Sequence, residues 1–275
     1  MMVVNIVYPV KYASIFQLWS QAIADSLITL GHTANIKHSV NSCHSDVELI
    51  QCPLYFGAFE KKHFKKYIMI QGEQFPTSQH TSKWQLDKWI STRNLLHCYD
   101  QSWDTFQPFH NHLYESLSFP SVHFKIGYHP VFDHYQDIKK FYDVSFFGTM
   151  NKRRDAITNQ IPNVEINQNV SGDDRNTFIN QSVINLNIHY SESKLLQSLR
   201  ILYIACNKAF VISEDFIGDD DLRDRIVNVE KTELLETVQH FLVNSQHRND
   251  ITEDTYNYFK FSRTMLNGVK ICLGD

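Results

Sequence analysis

No run of residues in this 275-residue chain approaches the ~20 consecutive apolar positions of a membrane-spanning helix, so a helical membrane protein is not expected. The start, MMVVNIVYPV, has neither the basic segment nor the long apolar core of an export signal. The five cysteines (Cys43, Cys52, Cys98, Cys206, Cys272) form no C-x-x-C pair and are odd in number. That argues against a disulfide framework and for reduced thiols in a cytoplasmic protein. Cys43–His44 and His97–Cys98 are adjacent pairs, and neighbours in a strand point to opposite faces, so neither makes a metal seat. Internal repeats and low-complexity tracts are missing. So is an excess of positive charge: 26 Lys and Arg against 30 Asp and Glu give a formal −4, which speaks against generic polyanion binding but leaves room for a local basic face.

What is present is the composition of a soluble globular protein, with 43% hydrophobic and 20% charged residues. The length accommodates two domains of ordinary size. Nineteen Phe, thirteen Tyr and four Trp promise well-filled cores or adhesive clefts, and fourteen His make the net charge sensitive to pH near the imidazole pKa.

Strand and helix patterns alternate along the chain, the mark of an α/β protein. Asn5–Tyr8 reads as a strand, and Ile15–Leu30 as a helix with Leu18, Ala22, Ser26 and Leu27 on one face, closed by Gly31. Strands are expected at Ala34–His38, Pro53–Phe56, Tyr67–Gln71, Leu95–Tyr99 and Val122–Ile126, and helices at Trp84–Ser91 and from Trp103. Asp133–Lys140 is polar and charged and makes the best linker. The expected division is therefore 1–133 and 134–255, followed by a helical tail, 256–275.

The most informative segment is Ile184–Glu214, INLNIHYSESKLLQSLRILYIACNKAFVISE. Ile184, Leu186 and Ile188 alternate with Asn185, Asn187 and His189, the period of a strand. Leu195, Leu199, Leu202, Tyr203 and Cys206 mark a helix face, and Asn207 stands where a helix commonly ends in the left-handed conformation. Ala209–Ser213 is then a short buried strand. Such a β-α-β unit implies a parallel sheet with a ligand crevice outside the carboxyl ends of its strands, where His189, Ser213, Glu214 and Asp215 fall.

This segment resembles the nucleotide-sugar half of GT-B glycosyltransferases, of the CgeB-like, glycosyl transferases group 1 type. There a strand ending in N-x-H is followed by an Arg-bearing helix and a strand ending in Ser-Glu. The resemblance extends to Asp143–Arg154 (DVSFFGTMNKRR) as first strand and phosphate loop, and to Ile226–Phe241. In the front half it takes in Tyr67–Pro76, Leu96–Trp103 and Lys125–Pro130. It implies two Rossmann-like domains facing a cleft, with the tail 256–275 a candidate to cross back onto the first domain. The first would bind acceptor and the second a nucleotide-diphosphate sugar, a UDP-sugar by default, with no other cofactor and no metal. The activity implied is that of a hexosyl- or pentosyltransferase. Two positions depart from the pattern: Tyr203 replaces a Glu that commonly contacts the donor ribose, and Asn207 replaces a Gly.

The candidate donor-binding residues are Gly148, Thr149, Lys152, Arg153, Arg154, His189, Arg200, Ser213 and Glu214. A glycine at a strand end, three cations and a following helix start suit a diphosphate. Arg200 stands on an otherwise apolar helix side and needs a carboxylate (Glu192 or Glu214) or an anionic ligand. Glu214 is placed to accept from ribose hydroxyls. Glu73, after a buried strand, and Asp100, after Leu95–Tyr99, are the candidate catalytic bases, ahead of His63 and His97. Asp219–Asp221 contains D-x-D, a metal–diphosphate motif of another glycosyltransferase fold, but reads better as a helix cap. Lys61–Lys66 (KKHFKK) reads as a solvated face or a contact for an anionic acceptor. The acceptor stays open among a glycan, a small molecule and a modified DNA base, and a non-catalytic nucleotide- or carbohydrate-binding module is the alternative of another class.

Overall fold

The computed structural model describes residues 1–72, 74–76, 82–168, 170–196, 198–217 and 220–274, without the side chains of Gln107, Phe109 and Asp220. They form two compact units, Met1–Gly127 with Met265–Asp275, and Tyr128–Thr264.

The first unit runs β1 (Val3–Val7), α1 (Ala13–Thr29), β2 (Thr33–Lys37), β3 (Val47–Gln51), α2 (Pro53–Phe56), β4 (Lys66–Gln71), α3 (Lys83–Arg93), β5 (Gln101–Asp104), α4 (Gln107–Glu115) and β6 (Ser121–His123). Its sheet has the order β2-β1-β3-β4-β5-β6, with every pairing parallel. Parallel neighbours need crossover connections, and the helices that supply them cover the sheet. Val7, Ile50, Tyr67, Met69, Phe75, Trp89 and Tyr114 make one core, each large side chain contributing about 1.5–3 kcal/mol by leaving water. A C-terminal helix, α11 (Met265–Leu273), packs on α1. It comes so close to the chain before Gly127 that a Cβ at Gly268 would lie 2.4 Å from Lys125 O.

Three expectations for this unit are corrected. Pro53–Phe56 is a short helix, entered through Cys52 at φ 56°, and the strand lies upstream at β3. Leu95–Tyr99 is not a strand: Leu96–Cys98 is a 3-10 turn and the strand begins at Gln101. Trp103 therefore belongs to β5, and α4 starts at Gln107.

The second unit runs β7 (Tyr142–Phe147), α5 (Lys152–Thr158), β8 (Val164–Asn167), α6 (Gly172–Asn180), β9 (Ser182–Asn187), α7 (Ser198–Cys206), β10 (Val211–Glu214), α8 (Asp220–Arg223), β11 (Val227–Val229), α9 (Leu234–Val243) and α10 (Ser245–Phe261). Its order is β11-β10-β9-β7-β8, again all parallel. Counted within the unit, this is the doubly wound order in which connections from the first strand leave in opposite directions. The topological switch point, and hence the crevice, lies at the carboxyl ends of β7 and β9. Phe146, Ile184, Leu186, Ile212, Val238 and Phe241 fill the core beneath it. Helix α7 ends at Cys206, and the left-handed residue after it is Lys208 (φ 49°), not Asn207. Asn207 is buried instead in an amide cluster: it accepts from Asn180 at 3.0 Å and donates to Tyr203 O at 2.7 Å. Among the described residues no helix is long and apolar enough to cross a membrane.

Candidate functional site

The crevice of the second unit opens after β7 at Gly148, whose φ of 129° is a conformation that side chains other than hydrogen rarely adopt. A Cβ there would also meet Arg200 Nη2 at 2.8 Å and Arg154 Nη1 at 3.8 Å. The glycine thus lets the Arg200 guanidinium approach the strand end, while Arg154 stands at ordinary contact distance. Arg200 stands in the first turn of α7, straight above β9. Its Nη1 donates to Asn187 Oδ1 at 2.9 Å, and its plane lies 5.2 Å from the Phe146 ring and 5.7 Å from the Phe147 ring. Its Nε is sealed from solvent with no partner. Among the described residues no carboxylate lies within ion-pair distance of it; Glu192 and Glu214, its expected partners, both go to Arg153. Burial, and then the neighbouring charge of Arg154, push the Arg200 pKa down to about 9, the mark of a cation lacking an anion.

The basic loop is less available than its sequence suggests. Arg154 is buried and holds backbone: it donates to Thr149 O at 2.6 Å, twice to Ile188 O at 2.8 and 3.1 Å, and to His189 O at 3.3 Å. It shares the Phe146 ring with Arg200 at 5.0 Å and lies 5.2 Å over Tyr190. Burial lowers its pKa to about 10. Arg153 pairs bidentately with the buried Glu214, Nη1 to Oε2 at 2.8 Å and Nη2 to Oε1 at 2.7 Å, and meets Glu192 at 2.9 Å. Burial opposes its charge, but the Glu214 and Glu192 contacts outweigh it and raise its pKa. The start of α5 is capped by Asn151, which accepts from Arg154 N at 2.9 Å. Lys152 is exposed, and so is Thr149. Of the crevice cations, only Arg153 meets a carboxylate among the described residues; Arg154 is spent on backbone carbonyls, which leaves Arg200 and Lys152 as the cations open to a ligand.

His189 lies at the carboxyl side of β9 and is buried. Its Nε2 is 3.0 Å from Asp215 O. A carbonyl only accepts, so Nε2 carries the proton and Nδ1 is a buried acceptor with no partner. Burial lowers the imidazole pKa, with Arg153 and Arg200 adding to that effect while Glu214 and the Asp215 carbonyl oppose it. Glu214 accepts from His189 N at 2.7 Å as well as from Arg153, so its oxygens are already engaged by protein donors. Ser213 is internal too, accepting from Asn187 at 2.9 Å and donating to Glu214 O at 2.8 Å. The structure thus brings Gly148, Thr149, Lys152–Arg154, His189, Arg200, Ser213 and Glu214 to one edge of one sheet, and divides them into a supporting set and an open set. Tyr203, where the family pattern has Glu, is buried under the Arg175 guanidinium at 3.4 Å from the ring centre.

In the first unit the placement of Asp100 is corrected. It lies at the amino end of β5, not at a carboxyl end, where it accepts from Tyr67 N at 2.8 Å and pairs with Lys61. The carboxylate at the carboxyl end of β5 is Asp104, which sequence reasoning missed. It is fully buried and accepts from Tyr114 Oη at 2.7 Å, Phe106 N at 2.7 Å and His110 Nδ1 at 2.8 Å. His110 Nε2 in turn accepts from Phe75 N at 3.1 Å. The sequence carries little signal for it, because Asp104 follows the largely polar Asp100–Trp103 and only His110, six residues on, marks the place. Glu73 lies outside the described residues, and so does Asp219 of the D-x-D run. Among the described residues no three His, Cys, Asp or Glu side chains cluster as a metal site would require. Half of the lysines of the Lys61–Lys66 stretch are spent internally: Lys61 pairs with Asp100 and Lys65 is buried against Glu48 at 2.9 Å, while Lys62 and Lys66 are exposed.

No protein-family model matches the chain. An alignment 140 positions long, which takes in 47% of the chain and 46% of the relative, shows 30% identity to an uncharacterized protein of Acanthamoeba polyphaga mimivirus. The match thus spans about half the length of the curated relative. Similar solved structures span the whole fold. An alpha-glucosyltransferase in complex with UDP and a 13-mer DNA containing a HMU base superposes with TM-score 0.69 at 8% identity, over 99% of this chain and 98% of that one. Sucrose-phosphate synthase from Thermosynechococcus elongatus gives 0.68 at 7% identity, over 100% and 98%. Anabaena HepE in complex with UDP-glucose gives 0.62 at 7% identity, over 100% of both chains. The chain has the GT-B fold of glycosyltransferases.

Proposed function

We propose that this protein is a glycosyltransferase that moves a sugar from a nucleotide diphosphate to an acceptor hydroxyl, with the donor held in the crevice of the second unit. One observation carries the reading. Arg200 presents an uncompensated guanidinium beside Gly148, at the switch point of a doubly wound sheet. A diphosphate there supplies the missing anion, and a planar fork matches its oxygens better than a point charge does. Lys152 adds a second, exposed charge from the first residue of α5. Arg153, Arg154 and Glu214 act one layer back: they hold the backbone of Ile188 and His189 in place so that the open groups face the ligand. The neutral imidazole of His189 offers Nδ1 as an acceptor for a sugar or ribose hydroxyl. The solved GT-B structures that carry UDP or UDP-glucose support a uridine donor as the first to test.

Departure of the nucleotide diphosphate needs its growing negative charge stabilised, and preorganised cations do this without reorganisation. Transfer therefore runs on side chains and needs no divalent metal. Acceptor identity is open among glycans, small molecules and the modified base of DNA. The DNA complex of one fold relative favours including the last, while the internal pairing of Lys61 and Lys65 counts against KKHFKK as a phosphate-binding face.

The test is calorimetric titration with UDP and UDP-glucose, followed by a transfer assay. Arg200→Ala is expected to weaken UDP binding by about 2–3 kcal/mol, and Arg200→Lys by less. Turnover is expected to survive excess EDTA. Wild-type UDP affinity in Arg200→Ala, with the fold intact by circular dichroism, removes the crevice assignment. Loss of turnover in EDTA and its return with Mg²⁺ removes the metal-free mechanism.

A further inference from the structure

The edge of the second sheet opposite the crevice holds a cavity of about 430 Å³, below the amino ends of β9 and β10. Its walls come from the segment before β7, which brings Tyr135 and Lys140, from Lys208 after α7, and from α10, which brings Arg248 and Glu253. The three cations are not equivalent. Lys208 is neutralised by Glu253 at 2.6 Å and lies 5.7 Å over the Tyr135 ring. Lys140 Nζ donates to Asn180 O at 2.6 Å, and Arg248 Nη1 donates to Phe241 O. Neither meets a carboxylate at ion-pair distance among the described residues. Burial lowers the pKa of both; at Lys140 the nearby Asp137 opposes this and Arg248 adds to it.

Each carbonyl takes one hydrogen of its cation. Lys140 keeps two further N–H groups, and Arg248 keeps its second amino group and Nε–H. Three cations of the lining thus face two carboxylates, Asp137 and Glu253, and with Glu253 taken by Lys208 the exposed Lys140 and the half-buried Arg248 stand without a carboxylate at ion-pair distance among the described residues. Such an arrangement is favourable when an anion lies between them. Tyr135, 47% exposed, lines its rim.

We propose that this cavity binds the phosphate group of a small phosphorylated molecule through Lys140 and Arg248, at a site separate from the crevice at the other end of the same sheet. The non-phosphate part of the ligand lies along Tyr135. The assignment does not depend on the glycosyltransferase reading, since none of the crevice residues takes part.

The experiment titrates the intact protein with inorganic phosphate, glucose 1-phosphate and adenosine 5′-monophosphate. Binding is followed by calorimetry, and by backbone NMR shifts that locate each ligand. All three should shift Asn249 and Thr252. The two organic phosphates should bind more tightly than inorganic phosphate if Tyr135 contributes, and equally if a bare phosphate is the natural ligand. Lys140→Gln with Arg248→Gln should weaken binding roughly tenfold or more. Lys140→Arg, Arg248→Lys and Arg200→Ala should each leave it nearly unchanged. Shifts confined to residues around Gly148 and Arg200, or undiminished affinity in the double Gln variant, overturn the proposal. Absence of binding by all three ligands at millimolar concentration overturns it as well. The wild-type NMR map decides the matter even if the double variant does not fold.

Discussion

Arg153 and Arg200 face the same crevice with opposite electrostatic surroundings, and the difference sets what each substitution does. Removing the Glu214 carboxylate leaves Arg153 half-buried and short of its partner. Removing Arg200 relieves a charge that the protein alone does not neutralise. Gly148 links the two effects. Gly148→Ala places a side chain at φ 129° and against Arg200 Nη2. It should cost about 1–3 kcal/mol of stability, seen as a lower melting temperature, and should weaken UDP binding as well. A variant that melts like wild type would show that the loop relaxes freely. His189 makes a pH prediction. Its folded pKa lies below the ordinary value, so below about pH 6.5 the unfolded chain takes up a proton that the folded chain refuses. Stability is therefore lost as pH falls through that window, and His189→Gln should flatten the fall in melting temperature between about pH 7 and pH 5. An unchanged pH profile would mean that the imidazole protonates in place. The residue types of the crevice were legible in the sequence, because strand ends and charged loops are local patterns. The Arg153–Glu214 pair joins positions 61 residues apart, and nothing local says which of three adjacent cations will be drawn inward.

Among the elements, the errors of sequence reading share one cause. Strand β3, VELIQ, is wholly buried yet carries Glu48 and Gln51, which break the apolar run that marks a buried strand. Lys65 and Ser20 satisfy them from elsewhere in the fold, at 2.9 Å each. With β3 hidden, the apolar Pro53–Phe56 took its place. The same holds for Leu96–Cys98, whose apolar residues cap a core without pairing in a sheet. Helix α5 shows the reverse: a short basic helix start that looks like a ligand cradle but is built around Arg154. Arg154→Ala strips hydrogen bonds from the carbonyls of Thr149, Ile188 and His189 and should destabilise the fold by at least ~2 kcal/mol. Lys152→Ala should be silent in a melt and show its effect only in donor affinity. Equal stability losses in the two variants would contradict the division into supporting and open groups.

At the scale of the whole molecule, both sheets are doubly wound; the alternation of strand and helix shows the α/β class, and the two Rossmann-like units are what the family resemblance adds. The return of the C-terminal helix to the first unit was expected from family resemblance, and its seat on α1 depends on Gly268 standing against Lys125 O. Ending the chain after Thr264 should uncover α1 and destabilise the first unit selectively. In calorimetry this should appear as an early transition split from that of residues 128–264, with proteolysis beginning within residues 1–127. A single unshifted transition would mean that α11 adds little. The same connectivity governs the order of events during synthesis. The second unit is contiguous in sequence and can close as soon as Thr264 clears the ribosome. The first, begun earlier, waits for residues 265–275. The usual order of co-translational folding, amino-terminal domain first, is therefore closed to the complete first unit, whose last helix is made after the whole of its neighbour.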